Sequence, residues 1–121
     1  HTFYMMLNCN LYGFNHHDRL MAAFIAEFHR KEEPKKDYIK YADILSGEDI
    51  EIINKMGVLL RIAESFDRCM SGVVTNVSCD ILGDSVIVKT NATMDATLEI
   101  KDALTSSTIF KKAYGKNLVI L

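Results

Sequence analysis

Cysteine, proline and long apolar runs are scarce in this sequence, and each scarcity excludes something. The three cysteines, Cys9, Cys69 and Cys79, have spacings that match neither a zinc motif nor a small disulfide framework. Reduced thiols, as in the cytoplasm, are therefore expected. Proline occurs once, at Pro34. Charges interrupt every apolar run before the roughly 18–20 residues of a membrane helix, and no signal-peptide pattern opens the chain, so a soluble cytoplasmic protein is expected. A Gly-rich phosphate loop, a GxSxG elbow, an HExxH and a CxxC are all missing, which removes the common self-contained catalytic motifs. Charge of one sign is not dominant either. The 14 Lys and Arg against 16 Asp and Glu give a formal net charge of −2, so any anion site must be a local patch.

What is present has the balance of a globular protein: 121 residues, 49% hydrophobic and 25% charged, enough for one domain or a domain with a small companion. The opening run His1-Thr2-Phe3-Tyr4-Met5-Met6-Leu7 has no initiator Met and no helix cap. It reads as an element entered part way, in a chain that belongs to a longer protein. Residues 2–8 suit a short helix. Asn15 with Asp18 resembles a capping pair, and Leu20, Ala23, Phe24 and Phe28 recur at helical spacing, which predicts a helix over 16–31. Pro34, in the charged stretch after it, stops that helix by Glu33.

Ser46 with Asp49 marks a second start, and Ile53, Met56, Leu60, Ala63 and Phe66 line one face of a helix that Gly72 would end. The period then changes. Val73–Ile81 and Ser85–Thr90, around Leu82-Gly83-Asp84, read as a hairpin. Residues 97–100 suit a strand or a helix start equally; 102–114 read as a helix closed by Gly115, and 118–121 as a last strand. The expected fold class is α+β, with a helical portion over 1–72 and a small hairpin, helix and strand portion over 73–121.

Four histidines, His1, His16, His17 and His29, all fall in the first half. His16 and His17 are adjacent at a helix start and project to different sides, so they are read as a solvated terminus and not a joint metal site. His29 follows the apolar stripe and precedes Arg30 and Lys31. Arg30, Lys31, Lys35, Lys36 and Lys40 form a positive stretch that Glu32, Glu33 and Asp37 interrupt. With sparse aromatic interleaving, it suits a phosphate chain better than nucleic-acid bases. Arg61, Glu64 and Arg68 stand three and four residues apart and can meet on one helix face, with Asp67 beside them. The plain alternative is a surface charge ladder. Arg61 and Glu64 are nevertheless set among apolar neighbours, where a charge needs a partner, and a pairing with the His29-Arg30 segment is one option.

Several segments resemble, in order, the C-terminal region of the exopolyphosphatase and guanosine pentaphosphate phosphohydrolase family. They are His1-Thr2-Phe3-Tyr4-Met5 leading to Asn8, then Tyr12-Gly13-Phe14-Asn15, then Phe28-His29-Arg30-Lys31 with Pro34 behind it. Leu59-Leu60-Arg61-Ile62-Ala63-Glu64-Ser65-Phe66-Asp67-Arg68 is the strongest, and Leu98-Glu99 and Ile109-Phe110-Lys111-Lys112-Ala113-Tyr114-Gly115 follow. The resemblance spans essentially the whole chain.

It implies a helical portion similar to an incomplete His-Asp (HD-type) domain followed by a small α+β cap. The phosphate-cleaving carboxylates would belong to N-terminal actin-like lobes outside this sequence, so the parent is expected to be the enzyme and this region inactive alone. The intact protein would release orthophosphate with an activated water and a divalent ion, Mg, while this region needs no cofactor. Arg30, Lys31, Arg61 and Arg68 would contact phosphate, supported by His29, Glu64 and Asp67. His1, His29 and Glu64 match later metal-ligand positions of the His-Asp fold, but the adjacent His-Asp pair that anchors its metal would lie upstream of His1. The implied partners are polyphosphate or guanosine pentaphosphate, the actin-like lobes and a second copy, with neither membrane nor nucleic acid. The alternative is a docking and dimerisation module with no phosphate ligand.

Overall fold

The structure, a computed structural model, describes residues 2–9, 12–27 and 40–121. The architecture is α+β, and the chain divides into two compact units, 1–60 and 61–121.

The first unit contains α1 (Thr2–Asn8), α2 (His16–Glu27) and the larger part of α3 (Gly47–Phe66). Both long helices start where their capping residues predict. The Asp18 N–H donates to Asn15 Oδ1 at 2.8 Å, satisfying one of the free amides at the start of α2. At α3 the bonding is reciprocal: the Asp49 N–H donates to Ser46 Oγ at 3.1 Å, and the Ser46 N–H donates to Asp49 Oδ2 at 2.9 Å. That is a capping box with Asp in the usual Glu position. Leu20, Ala23 and Phe24 of α2 are buried with Phe3, Leu45, Ile53 and Val58. The Phe3 and Phe24 rings pack at 4.8 Å between centroids, and Tyr41 meets Phe24 edge-on at 5.7 Å and 82°. The expected continuation of α2 over 28–31 lies outside the described residues.

Helix α3 ends at Phe66, earlier than the Gly72 stop that the sequence suggests. Its hydrogen bonding tightens there, with the Asp67 N–H donating to Glu64 O and the Arg68 N–H to Ser65 O, both one residue short of the α-helical step. The chain then turns through Met70, whose φ of 52° is left-handed. A side chain in that region costs about 1–2 kcal/mol, and Met70 is 86% exposed, so no packing offsets the cost. Met70→Gly should therefore raise stability by about 0.5–1 kcal/mol after the extra unfolded-state entropy of glycine is counted. A shift of the urea midpoint to lower concentration would contradict this.

The second unit carries the sheet. Strands β1 (Val74–Leu82) and β2 (Ser85–Ala92) form the expected antiparallel hairpin, closed by Gly83 at a φ of 55°. Helices α4 (Thr97–Leu104) and α5 (Ser107–Tyr114) follow, then β3 (Asn117–Ile120), which lies parallel to β2 to give the order β1-β2-β3. Residues 97–100 are thus helical. The single helix expected over 102–114 is two helices, broken at Thr105 and Ser106. Local hydroxyls take over the carbonyls there, with Thr105 Oγ1 donating to Asp102 O and Ser107 Oγ to Leu104 O, in competition with the helical ladder. Both helices pack against β3, burying Ala103, Phe110, Leu118 and Ile120 with Val88 of β2. No helix among the described residues is long and apolar enough to cross a membrane.

Candidate functional site

The C-terminal turns of α3 and the turn after them carry the charged cluster. Arg61 is half-buried, and its Nη1 is shielded from solvent with no hydrogen-bond acceptor among the described residues. Glu64, one turn on, is exposed. Because α3 stops at Phe66, Asp67 and Arg68 lie in the turn and not on the helix face. Arg68 Nη1 instead donates to Asp102 Oδ1 of α4 at 2.9 Å, and its side chain is 65% exposed. The expected convergence of Arg61, Glu64 and Arg68 on one face therefore gives way to two separate situations, an arginine with an unmet donor and an arginine tied across to α4.

Beside Arg68 the Cys69 thiol donates to the carboxylate of Glu99, which holds the thiol above its ordinary pKa by that bond and by the adjacent negative charge. Glu99 itself is 4% exposed. Arg68, Cys69, Lys101, Asp102 and Thr105 line an open cleft of about 280 Å³. A thiol held protonated in this way is a poor nucleophile.

Of the remaining positions picked from the sequence, His1, His29, Arg30 and Lys31 lie outside the described residues, as do Lys35 and Lys36. Among the described residues no group of three or more His, Cys, Asp and Glu is placed to hold a metal ion. Glu64, the one metal candidate among the described residues, has no such group around it there.

The sequence reading missed one charged cluster. His17 stands at the start of α2 with its side chain 38% exposed, but it is also paired: its Nε2 lies 2.9 Å from Asp49 Oδ2 and its Nδ1 3.4 Å from Asp18 Oδ1. The Asp49 carboxylate that caps α3 thus also receives the His17 ring from α2. A His one residue before an Asp, with a capping Asp at the next helix start, was the available signal, but only folding shows that the two helix starts meet. The bond to Asp49, and then that to Asp18, raises the His17 pKa above 6.5, and the same bond to His17 lowers that of Asp49 below 3.8.

The pair therefore stabilises most between those two values. As pH rises through the elevated His17 pKa its part is lost, and as pH falls through the depressed Asp49 pKa the other part is lost. Thermal unfolding should accordingly show a larger gap between the protein and His17→Gln at pH 5 than at pH 8. An equal gap at both would remove the charged pair from the account.

An apolar groove of about 450 Å³ runs along the first unit, lined among others by Met6, Phe14, Met21, Ile25, Ile52 and Met56. Met56 belongs to the apolar face that the sequence marks on α3, yet it is 51% exposed, and Ile52 beside the groove is 45% exposed. No model of a known protein family matches the sequence, and no curated protein matches it.

Proposed function

We propose that this chain is the C-terminal portion of a cytoplasmic exopolyphosphatase-like phosphohydrolase. In this reading it helps to hold a polyphosphate or guanosine pentaphosphate chain and to form a dimer, and it is not catalytic by itself. Hydrolysis, with its divalent ion, belongs to actin-like lobes of the parent protein. The reading rests on the order of the resembling segments, and the observation that carries it is Arg61. A buried guanidinium donor without an acceptor costs about 1–3 kcal/mol, a cost that is recovered when an anion supplies the acceptor. Arg61 stands within the segment of strongest resemblance, and its donor is unmet among the described residues. Arg30, Lys31 and Arg68 would add charge along the phosphate chain, with His29, Glu64 and Asp67 supporting them.

The second reading, a docking and dimerisation module with no phosphate ligand, is favoured by the groove beside Ile52 and Met56. Calorimetric titration with medium-length polyphosphate at low salt separates the two. The phosphate reading expects binding that weakens about tenfold in Arg61→Ala and in Arg30→Ala, consistent with one charge-assisted bond each, and that fades with added salt. Absence of binding at millimolar ligand would leave the docking module.

A further inference from the structure

The outer edge of the sheet is unusual. Strand β1 pairs with β2 alone, and among the described residues nothing pairs with its other side. The register places Ile81 beside Val86 and Cys79 beside Val88, and these in turn lie beside Leu118 and Ile120 of β3. Residues opposite each other in a ladder share a face, so Val77, Cys79 and Ile81 continue the row of the core. Over β2 and β3 that row is covered, with Val88, Leu118 and Ile120 buried. On β1 it is open: Val77 is 45% exposed, Ile81 68%, and Cys79 is exposed as well.

The same three residues also present their backbone to the open edge. The Leu121 N–H donates to Val88 O and the Thr90 N–H to Leu121 O, so Val88 and Thr90 turn their peptide groups toward β3. Their β1 partners Cys79 and Val77 are therefore the non-hydrogen-bonded pairs of the hairpin, with N–H and C=O directed outward, and Ile81 follows by alternation. In agreement, the Val77 N–H finds only the side chain of Asn76, at 2.9 Å. Edge strands are commonly guarded by lysine, proline or a bulge. β1 has a bulge at its start, between Val74 and Asn76, but from there to Leu82 it holds no proline and no lysine and carries one charge, Asp80.

We infer that β1 is a self-pairing edge: two copies join antiparallel through β1, centred on Cys79, to make one continuous sheet. Only antiparallel pairing is compatible with a closed twofold dimer of this kind. Centring on Cys79 sets Val77 against Ile81 of the second copy, so the open apolar rows coincide. It also sets Asp80 against Ser78 of the second copy, a hydroxyl that can donate to the carboxylate. Centring on Asp80 would set two Asp80 carboxylates opposite each other; each is bridged to Lys89 of its own copy at 3.1 Å, which reduces the repulsion, but neither would then face a hydroxyl donor. The lone charge therefore selects among registers. This inference rests on the dimerisation part of the proposed function and names its surface.

Sedimentation velocity on the whole chain at about 10 and 100 µM, under reducing conditions, provides the test, a range that reads dissociation constants in the micromolar region. The expected result is a dimer that Ile81→Lys weakens by about tenfold or more, since the change sets a charge against Val77 of the second copy. Ile81 is exposed in the single chain, and an unchanged circular dichroism spectrum would verify that the variant folds. A chain with Cys9→Ser and Cys69→Ser, oxidised with diamide, should yield a covalent dimer through Cys79, because an opposed pair places Cα atoms at a bridgeable separation. A dimer indifferent to Ile81→Lys that forms no Cys79 cross-link would overturn the edge assignment while leaving dimerisation in place. A monomer at both concentrations would overturn both.

Discussion

Replacing Phe24 with Ala is expected to remove about 3–5 kcal/mol of stability, as large aromatic-to-alanine changes in packed cores do. Phe24 has no exposed surface, and its ring is held between Phe3 at 4.8 Å and Tyr41 at 5.7 Å. Three effects combine. The apolar area of the ring returns to water on unfolding with less to gain, the two aromatic contacts forfeit about 0.5–1.5 kcal/mol each, and a cavity remains between rings too stiff to close it. Phe24→Leu keeps most of the volume and should cost less than half as much. Since small domains are stable by only about 5–15 kcal/mol, Phe24→Ala should unfold at markedly lower urea, read by far-ultraviolet circular dichroism. A loss under about 1 kcal/mol would mean that this aromatic cluster does not form the core of the first unit.

The parts of this fold that could be read from the sequence are those decided within a few residues. Asn15 and Ser46 mark their helices because a side-chain oxygen three positions before a free amide acts locally, and both bonds are present. The hairpin was legible from the change of period after Gly72, and the close of α5 from Gly115, whose φ of 66° is left-handed. The break between α4 and α5 was not. Apolar spacing continues across Thr105 and Ser106, and the first helix ends where the Thr105 and Ser107 hydroxyls compete for its carbonyls.

The candidate site divides in the same way. The types and order of Arg61, Glu64, Asp67 and Arg68 are visible in sequence, but the partner of Arg68 is Asp102, thirty-four positions away, and the partner of His17 is Asp49, thirty-two away. Helical spacing describes neighbours along one element and is silent on contacts between elements. The open edge of β1 was hidden for a related reason: alternation identifies a strand without saying whether a helix will cover it.

The fastening of β3 gives the second large effect. Phe110 of α5 is 3% exposed and stacks on Tyr114 at 4.7 Å and 27°, while α5 packs on β3. Strand β3 is short and joins the sheet along one side only, so its place depends on side-chain burial more than on its few ladder bonds. Phe110→Ala is expected to cost about 3–5 kcal/mol, through the lost ring area and the space left beneath Leu118 and Ile120. Hydrogen exchange locates the damage. The amides of Asn117 and Leu121, which donate to Asp84 O and Val88 O, should lose protection before those pairing β1 with β2, because the hairpin retains its own ladder. If β3 and hairpin amides lose protection together, the sheet opens as one cooperative body and Phe110 supports all of it. If neither changes, the core of the second unit does not depend on this ring.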